Sequence, residues 1–233
     1  MTIIYYKDKN SIKRFDMKSS VVFILFLISV GLTVSLTIHA QESHSTGASI
    51  PRDFTAFSWE MSIPTDNKYL SENSLSGWRL EYRRMVKKNL SVGIAASWNS
   101  FDQTYPMKTY YSPDKSTAVT TDMIRQVYTV PITLTSHYYF NTKIILFQPY
   151  VGVGLGTQYE ENNTYFNIYQ ITENNWGFVA RPEIGTLIHF GKQSPVKGIV
   201  SVGYNWSDNK IKSANVTNWS HLAVNIGVGV GSF

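Results

Sequence analysis

The chain has 233 residues, of which 43% are hydrophobic, 14% aromatic and only 16% charged. This composition excludes an intrinsically disordered chain, and the absence of cysteine excludes disulfides, thiolate metal sites and cysteine nucleophiles. The net charge of +5 does not indicate a nucleic-acid partner. Residues 1–40 carry five of the 21 basic residues and two of the 16 acidic ones, which leaves a nearly neutral remainder.

The N-terminal region has the pattern of an export signal. Met17 and Lys18 precede an apolar run from Val21 to Ile38, and the small residue Ala40 follows shortly after it. A basic start, an apolar core and a small residue before the cleavage site are typical of a secretory signal peptide. We therefore expect an N-terminal extension and signal peptide over 1–40, with cleavage after Ala40, and a short periplasmic lead over 41–52. An uncleaved anchor and a translation start at Met17 are open alternatives.

The rest of the chain alternates between apolar and polar residues with a period of two, which predicts β-strands. In the clearest segment, Trp78, Leu80 and Tyr82 alternate with Arg79, Glu81 and Arg83. The predicted strands are 53–63, 77–86, 90–100, 125–140, 144–159, 176–190, 198–206 and 219–231.

The connections between these strands alternate between short and long. Short ones lie at 87–89, 141–143 and 191–197, and long polar ones lie at 64–76, 101–124, 160–175 and 207–218. Short turns at one end and long loops at the other are typical of bacterial outer-membrane barrels. We predict an all-β fold for 53–233: an eight-stranded antiparallel up-and-down transmembrane β-barrel in the cell outer membrane, with both termini periplasmic.

The strands of a soluble barrel would show the same alternation of apolar and polar residues. Other features must therefore show whether the apolar face points into the barrel or out of it. The tryptophans gather near the long-loop ends of the strands, as aromatic residues do at a membrane interface. We expect all six on the outward apolar face, as interface aromatics: Trp59, Trp78, Trp98, Trp176, Trp206 and Trp219.

The polar face of the strands combines charged residues with glycine, which suits a narrow lumen better than a surface in water. The predicted lumen charges are Glu60, Arg79, Glu81, Arg83, Arg181 and Glu183. We expect Glu60, on the neighbouring strand, to form a cross-strand ladder with Arg79, Glu81 and Arg83. Arg181 and Glu183 are expected to form a second cluster.

Two further residues have predicted structural roles. Phe233 ends the chain directly after the last strand, and a terminal aromatic residue is a candidate assembly signal for the barrel assembly machinery. Pro131 lies within a predicted strand, where a proline removes a hydrogen-bond donor, so we expect a β-bulge near it.

One pair of adjacent segments resembles a known family. Val130 to Phe140, with the run VPITL and then YYF, precedes Phe147 to Gly156, with the run FQPYVGVGLG. These segments resemble the central hairpin of the OmpA/OmpW-like outer membrane protein beta-barrel domain family, often labelled the porin family. The resemblance implies an eight-stranded barrel in the outer membrane of a Gram-negative cell. It implies no catalytic or ligand residue.

The residues predict no catalytic, cofactor or metal site, because no histidine pair has ligand spacing and Ser220 and His221 point to opposite strand faces. We expect a small structural or porin-like barrel with a narrow or plugged lumen. The alternatives are an adhesion or ligand-binding barrel that acts through its long loops and, third, a lipid-modifying enzyme. The expected partners are outer-membrane lipid and either small solutes or an extracellular ligand, and no nucleic acid.

Overall fold

A computed structural model describes residues 51–65, 69–111, 118–142, 146–166, 169–191, 194–211 and 216–232. Within these ranges the chain forms eight β-strands in chain order. They are β1 (Asp53–Pro64), β2 (Ser74–Lys87), β3 (Leu90–Tyr111), β4 (Ala118–Tyr139), β5 (Phe147–Phe166), β6 (Tyr169–His189), β7 (Val196–Ser207) and β8 (Trp219–Ser232). The predicted signal segment, most of the lead and Phe233 lie outside the described residues.

The strands form one closed antiparallel barrel in sequence order, which confirms the predicted fold. Closure is made by β1 and β8, whose register runs from Asp53 opposite Ser232 to Pro64 opposite His221. A closed ring satisfies the backbone hydrogen bonds of every strand and leaves no edge within the barrel wall. The described residues include no helix that is long and apolar enough to span a membrane.

The strands differ in height, and four of them, β3 to β6, extend far into the predicted long loops. β3 and β4 continue to Tyr111 and Ala118, and β5 and β6 continue to Phe166 and Tyr169, so much of the predicted loops 101–124 and 160–175 is strand. Polar residues on both faces of these segments interrupt the apolar ones, such as Phe101, Met107 and Ile171, so apolar alternation does not reveal them. In these segments β3 pairs with β4 and β5 pairs with β6. In the first of these hairpins, the hydroxyls of Thr109 and Thr120 lie 2.9 Å apart. We call this side of the barrel the tall end and the opposite side the short-turn end.

The predicted bulge near Pro131 is wrong. The register of β3 and β4 is the same on both sides of this residue, with Asn99 opposite Thr129 and Ala96 opposite Ile132. The missing N–H of a proline removes one ladder hydrogen bond but requires no extra residue. The register shift between β3 and β4 lies at 105–108, in the part that rises above the rest of the barrel.

Five tryptophans face outward near the tall end. Trp59 lies opposite Trp78, and Trp78 lies opposite Trp98, in directly paired positions of β1, β2 and β3. On the far side of the barrel, Trp176 and Trp206 are 62% and 38% exposed. A second group of exposed aromatic side chains surrounds the short-turn end: Tyr82, Tyr138, Phe140, Phe147 and Phe190. Aliphatic side chains cover the wall between the two groups, so the outer surface suits lipid.

The expected outward position of Trp219 is wrong. This residue is 1% exposed and its ring packs edge-on against Phe101 inside the barrel, with centroids 5.3 Å apart. The physical reason is strand parity: Trp219 is an even number of residues from the buried His221 and Ala223, so it shares their inward face.

Candidate functional site

The lumen holds the six charged side chains that the sequence singles out. They come from three strands, β1, β2 and β6, and each residue is at most 5% exposed. Their inward position follows from alternation, because the residues between them along each strand are apolar and exposed to the outside. The six are Glu60, Arg79, Glu81, Arg83, Arg181 and Glu183.

Ion pairs join these side chains into one network, whereas the sequence suggests two separate clusters. Glu60 pairs with Arg181 at 2.8 Å, and Arg181 approaches Glu183 at 3.6 Å. Glu183 in turn contacts Arg79 at 3.4 Å. The two predicted clusters therefore meet across the lumen at two contacts, Glu60 with Arg181 and Glu183 with Arg79.

The network continues toward the short-turn end. Arg79 contacts Glu81 at 3.4 Å, and Glu81 contacts Arg83 at 2.9 Å. Three guanidinium groups thus face three carboxylates, and the buried charges balance. Balance matters here because a buried charge without a partner is costly.

His137 is a member of the network that the sequence analysis does not predict. Its Nε2 lies 3.1 Å from Glu183 and 3.4 Å from Glu81, which brings three groups of metal-ligand type within 4.8 Å of one another. Both carboxylates already face arginines, so this trio has its counter-charges within the protein. Strand parity places His137 in the lumen, and its 1% exposure agrees, but only the tertiary structure places it against these carboxylates.

Two tyrosines complete the network at the short-turn end. Arg83 donates to the hydroxyls of Tyr139 and Tyr150 at 3.2 and 3.0 Å, and its guanidinium lies 4.4 Å from the centre of the Tyr150 ring. Both rings belong to a buried apolar cluster with Phe54, Ala56, Leu187 and Ile199. An apolar cluster thus packs on this side of the charges, beside the buried pair Lys197 and His189.

A second apolar cluster fills the barrel at the tall end. It combines inward residues of β3, β4 and β8 with residues from the connections β1–β2 and β7–β8. The members are Tyr69, Leu70, Phe101, Val127, Ile211, Val216 and Trp219. The sequence predicts polar loops for both connections, so the entry of their apolar residues into the barrel is a feature of the tertiary structure.

Tyr69 anchors this cluster to the wall. Its hydroxyl lies 3.1 Å from that of Thr164, and Arg125 donates to its backbone carbonyl at 2.7 Å. Burial raises the pKa of the Tyr69 phenol, although its contact with Thr164 and the nearby Arg125 act in the opposite direction. The phenol therefore stays neutral and serves as a packing and hydrogen-bonding group.

Glycines leave the space that the lumen side chains occupy. A Cβ atom on Gly152 would lie 2.4 Å from the ring of His137, and one on Gly229 would lie 2.4 Å from the ring of Phe54. Neither separation is possible for real atoms without a shift. At these two positions the absence of a side chain makes room for the rings of His137 and Phe54.

The residues considered for a hydrolytic enzyme do not form a pair. His221 is buried, with Nε2 2.7 Å from the amide nitrogen of Asn205. Ser220 instead accepts a hydrogen bond from the hydroxyl of Thr65 at 3.1 Å. The two groups therefore have different partners on opposite faces of β8.

Comparison with solved structures identifies the architecture. Neisserial surface protein A is similar over 77% of this chain and 96% of its own, with a TM-score of 0.53 and 14% sequence identity. The chain has the fold of an eight-stranded outer-membrane barrel.

Two further solved structures are similar at lower scores. They are Ail, the attachment invasion locus protein of Yersinia pestis, in complex with the heparin analogue sucrose octasulfate, and the outer membrane protein OprG from Pseudomonas aeruginosa. Ail has a TM-score of 0.44 and 13% identity over 76% of this chain and 96% of its own. OprG has a TM-score of 0.41 and 13% identity over 79% of this chain and 97% of its own. No protein-family model and no curated protein matches the chain.

Proposed function

We propose that this chain is a small integral outer-membrane barrel with a closed lumen, and that its role is structural rather than conductive. One observation carries the proposal: a charge-balanced network fills the lumen between two apolar clusters. A conducting pore needs a continuous polar path past its constriction. Here an apolar cluster packs on each side of the charged network, whose arginines and carboxylates pair with one another.

The outer surface supports the membrane location. Two groups of exposed aromatic residues border an aliphatic band, an arrangement that matches the two interfaces of a bilayer. In this placement the short-turn end faces the periplasm together with both ends of the barrel domain, and the tall end faces outward. The same proposal includes two further steps. The signal segment over 1–40 directs export, and the barrel assembly machinery recognises Phe233.

Single-channel recording in a planar bilayer tests the closed lumen. The sample is the folded protein, verified by a mobility difference between unboiled and boiled samples on a gel. We expect no reproducible current steps from the wild type. Steps whose ion selectivity changes in the Glu81→Gln or Arg83→Gln variant would overturn the proposal, because they would show ions passing the charged network.

A second candidate function, binding at the cell surface, rests on the tall hairpins. β3–β4 and β5–β6 rise beyond the outward tryptophans and carry exposed apolar side chains, with Met107 74% and Tyr111 67% exposed. Side chains of this kind in water favour contact with a partner. In this reading the plugged barrel is a rigid base, and the hairpins are the binding surface.

Shortening one hairpin separates the two functions. Residues 109–120 of the β3–β4 hairpin are replaced by Asn-Gly, which closes a tight turn between the register neighbours Lys108 and Thr121. We expect the barrel to keep its gel shift and the cells to lose adhesion to host-cell or matrix surfaces. Equal adhesion with and without the hairpin would remove this hairpin as the binding surface.

A further inference from the structure

One buried carboxylate near the tall end, that of Glu160, does not belong to the ion network. Glu160 of β5 is 0% exposed and sits in register with Thr129 of β4 and Asn175 of β6. Among the residues that the structure describes, no arginine, lysine or histidine forms a salt bridge with it. Its side-chain hydrogen bonds come from two amides: Asn162 Nδ2 at 2.9 Å and Gln158 Nε2 at 3.5 Å.

The groups around Glu160 present unpaired oxygen atoms. Gln158 Oε1, Asn162 Oδ1, Asn209 Oδ1 and Thr129 Oγ1 are buried and lack a hydrogen-bond partner within the described part of the chain. Gln158 and Asn162 donate to Glu160 through their amide nitrogens, and Thr129 is its register neighbour on β4. Asn209 is held to this group through the backbone carbonyl of Gln158 at 3.2 Å.

This combination has the chemistry of a hard-cation site. Carboxylate, amide and hydroxyl oxygens are the ligands that hard cations prefer. A buried carboxylate without a counter-charge is costly, and so is each buried oxygen without a partner. A single bound cation would relieve both costs.

We propose that Glu160, together with the side-chain oxygens of Gln158, Asn162, Asn209 and Thr129, binds a hard monovalent cation inside the barrel. The charge of the site decides the class of ion. One carboxylate and four neutral oxygens carry a single negative charge, which one monovalent cation balances. A divalent ion would leave a buried excess positive charge. The site is separate from the ion network and does not depend on the proposed function.

The test compares cations of equal charge and different coordination chemistry. The folded full-length protein in non-ionic detergent is heated in NaCl, in KCl and in choline chloride at equal ionic strength, and unfolding is followed by circular dichroism. Screening is then the same in all three salts. Because a ligand that binds only the folded state stabilises it, we expect a midpoint about 2–4 °C higher in sodium or potassium than in choline.

Two variants assign the effect to one carboxylate. Glu160→Gln should lose the difference between the salts. The matched control is Glu161→Gln, because Glu161 is the chain neighbour on the opposite face, where its carboxylate accepts hydrogen bonds from Tyr159 and Asn163. This control should keep the difference. An equal midpoint in all salts for the wild type, or an unchanged difference in Glu160→Gln, would overturn the proposal and indicate a protonated Glu160.

Two further measurements do not depend on the folding of a variant. Crystals of the wild type soaked in rubidium chloride should show an anomalous peak among the five side chains. Absence of the peak, with only a water there, would count against the site. Stabilisation by CaCl2 and not by sodium or potassium would overturn the monovalent assignment.

Discussion

Arg181 and Glu60 are separated by 121 residues in the chain, yet Arg181 Nη2 donates to Glu60 Oε2 at 2.8 Å inside the barrel. The two side chains are 1% and 0% exposed on β6 and β1, which lie on different parts of the ring. This contact spans the lumen and ties together two walls that share no ladder hydrogen bond.

Removal of Arg181 should therefore be strongly destabilising. Arg181→Met leaves the buried Glu60 carboxylate without its strongest partner, and such a loss typically costs about 3–5 kcal/mol. Urea unfolding of the protein in lipid vesicles measures the change. The double variant Glu60→Gln with Arg181→Met should recover part of the stability, because no isolated charge then remains. A double variant as unstable as Arg181→Met would show that lost packing, not the unpaired charge, is the cause.

The orientation of the tryptophans predicts which of them meet lipid. In vesicles of brominated phospholipid, the outward Trp59, Trp78, Trp98, Trp176 and Trp206 should be quenched and the buried Trp219 should not. Trp206→Phe should lower the quenched part of the fluorescence, whereas Trp219→Phe should lower only the part that resists quenching. Loss of the quenched part in Trp219→Phe would place that ring in lipid and contradict the packing against Phe101.

The same two residues differ in their expected effect on stability. Trp219→Ala should leave a cavity in the apolar cluster at the tall end and cost about 3–5 kcal/mol. Trp206→Ala should cost less, because lipid can fill the space outside the wall. The urea midpoints of the two variants provide the comparison. Equal losses would argue against a packed cluster around Trp219.

The close approach of Gly152 to His137 predicts a position where even one methyl group is too large. A Cβ at Gly152 would lie 2.4 Å from the His137 ring, which Glu183 also holds at 3.1 Å. Gly152→Ala should cost about 1–3 kcal/mol by overpacking. The control is Gly191→Ala in the β6–β7 connection, where the new atom would be 3.7 Å from Ser194. If both variants have the urea midpoint of the wild type, the space between Gly152 and the His137 ring is larger than in this structure.

Strand parity explains both the success and the error in the sequence-based assignment of faces. Where strands cross the apolar band, each residue strictly alternates, so the six lumen charges could be placed from their spacing alone. The same rule, applied correctly to Trp219, would have placed it with His221 on the inward face. All six tryptophans lie near the long loops, which favours a shared position at the membrane interface. Trp219 does not have this position, because its side chain is buried inside the barrel.

The sequence by itself determined the number of strands, their antiparallel order and the inward position of the charges, because the period of two and the alternating connection lengths are local properties. Only the tertiary structure decided which charges meet, that Tyr69 and Ile211 enter the barrel, and that β3 to β6 extend beyond the outward tryptophans. The contacts within the lumen join strands that are far apart in the chain, so the spacing of residues along the sequence does not predict them. The extended hairpins mix polar and apolar residues without strict alternation, so the pairing of their strands, rather than an apolar pattern, specifies them.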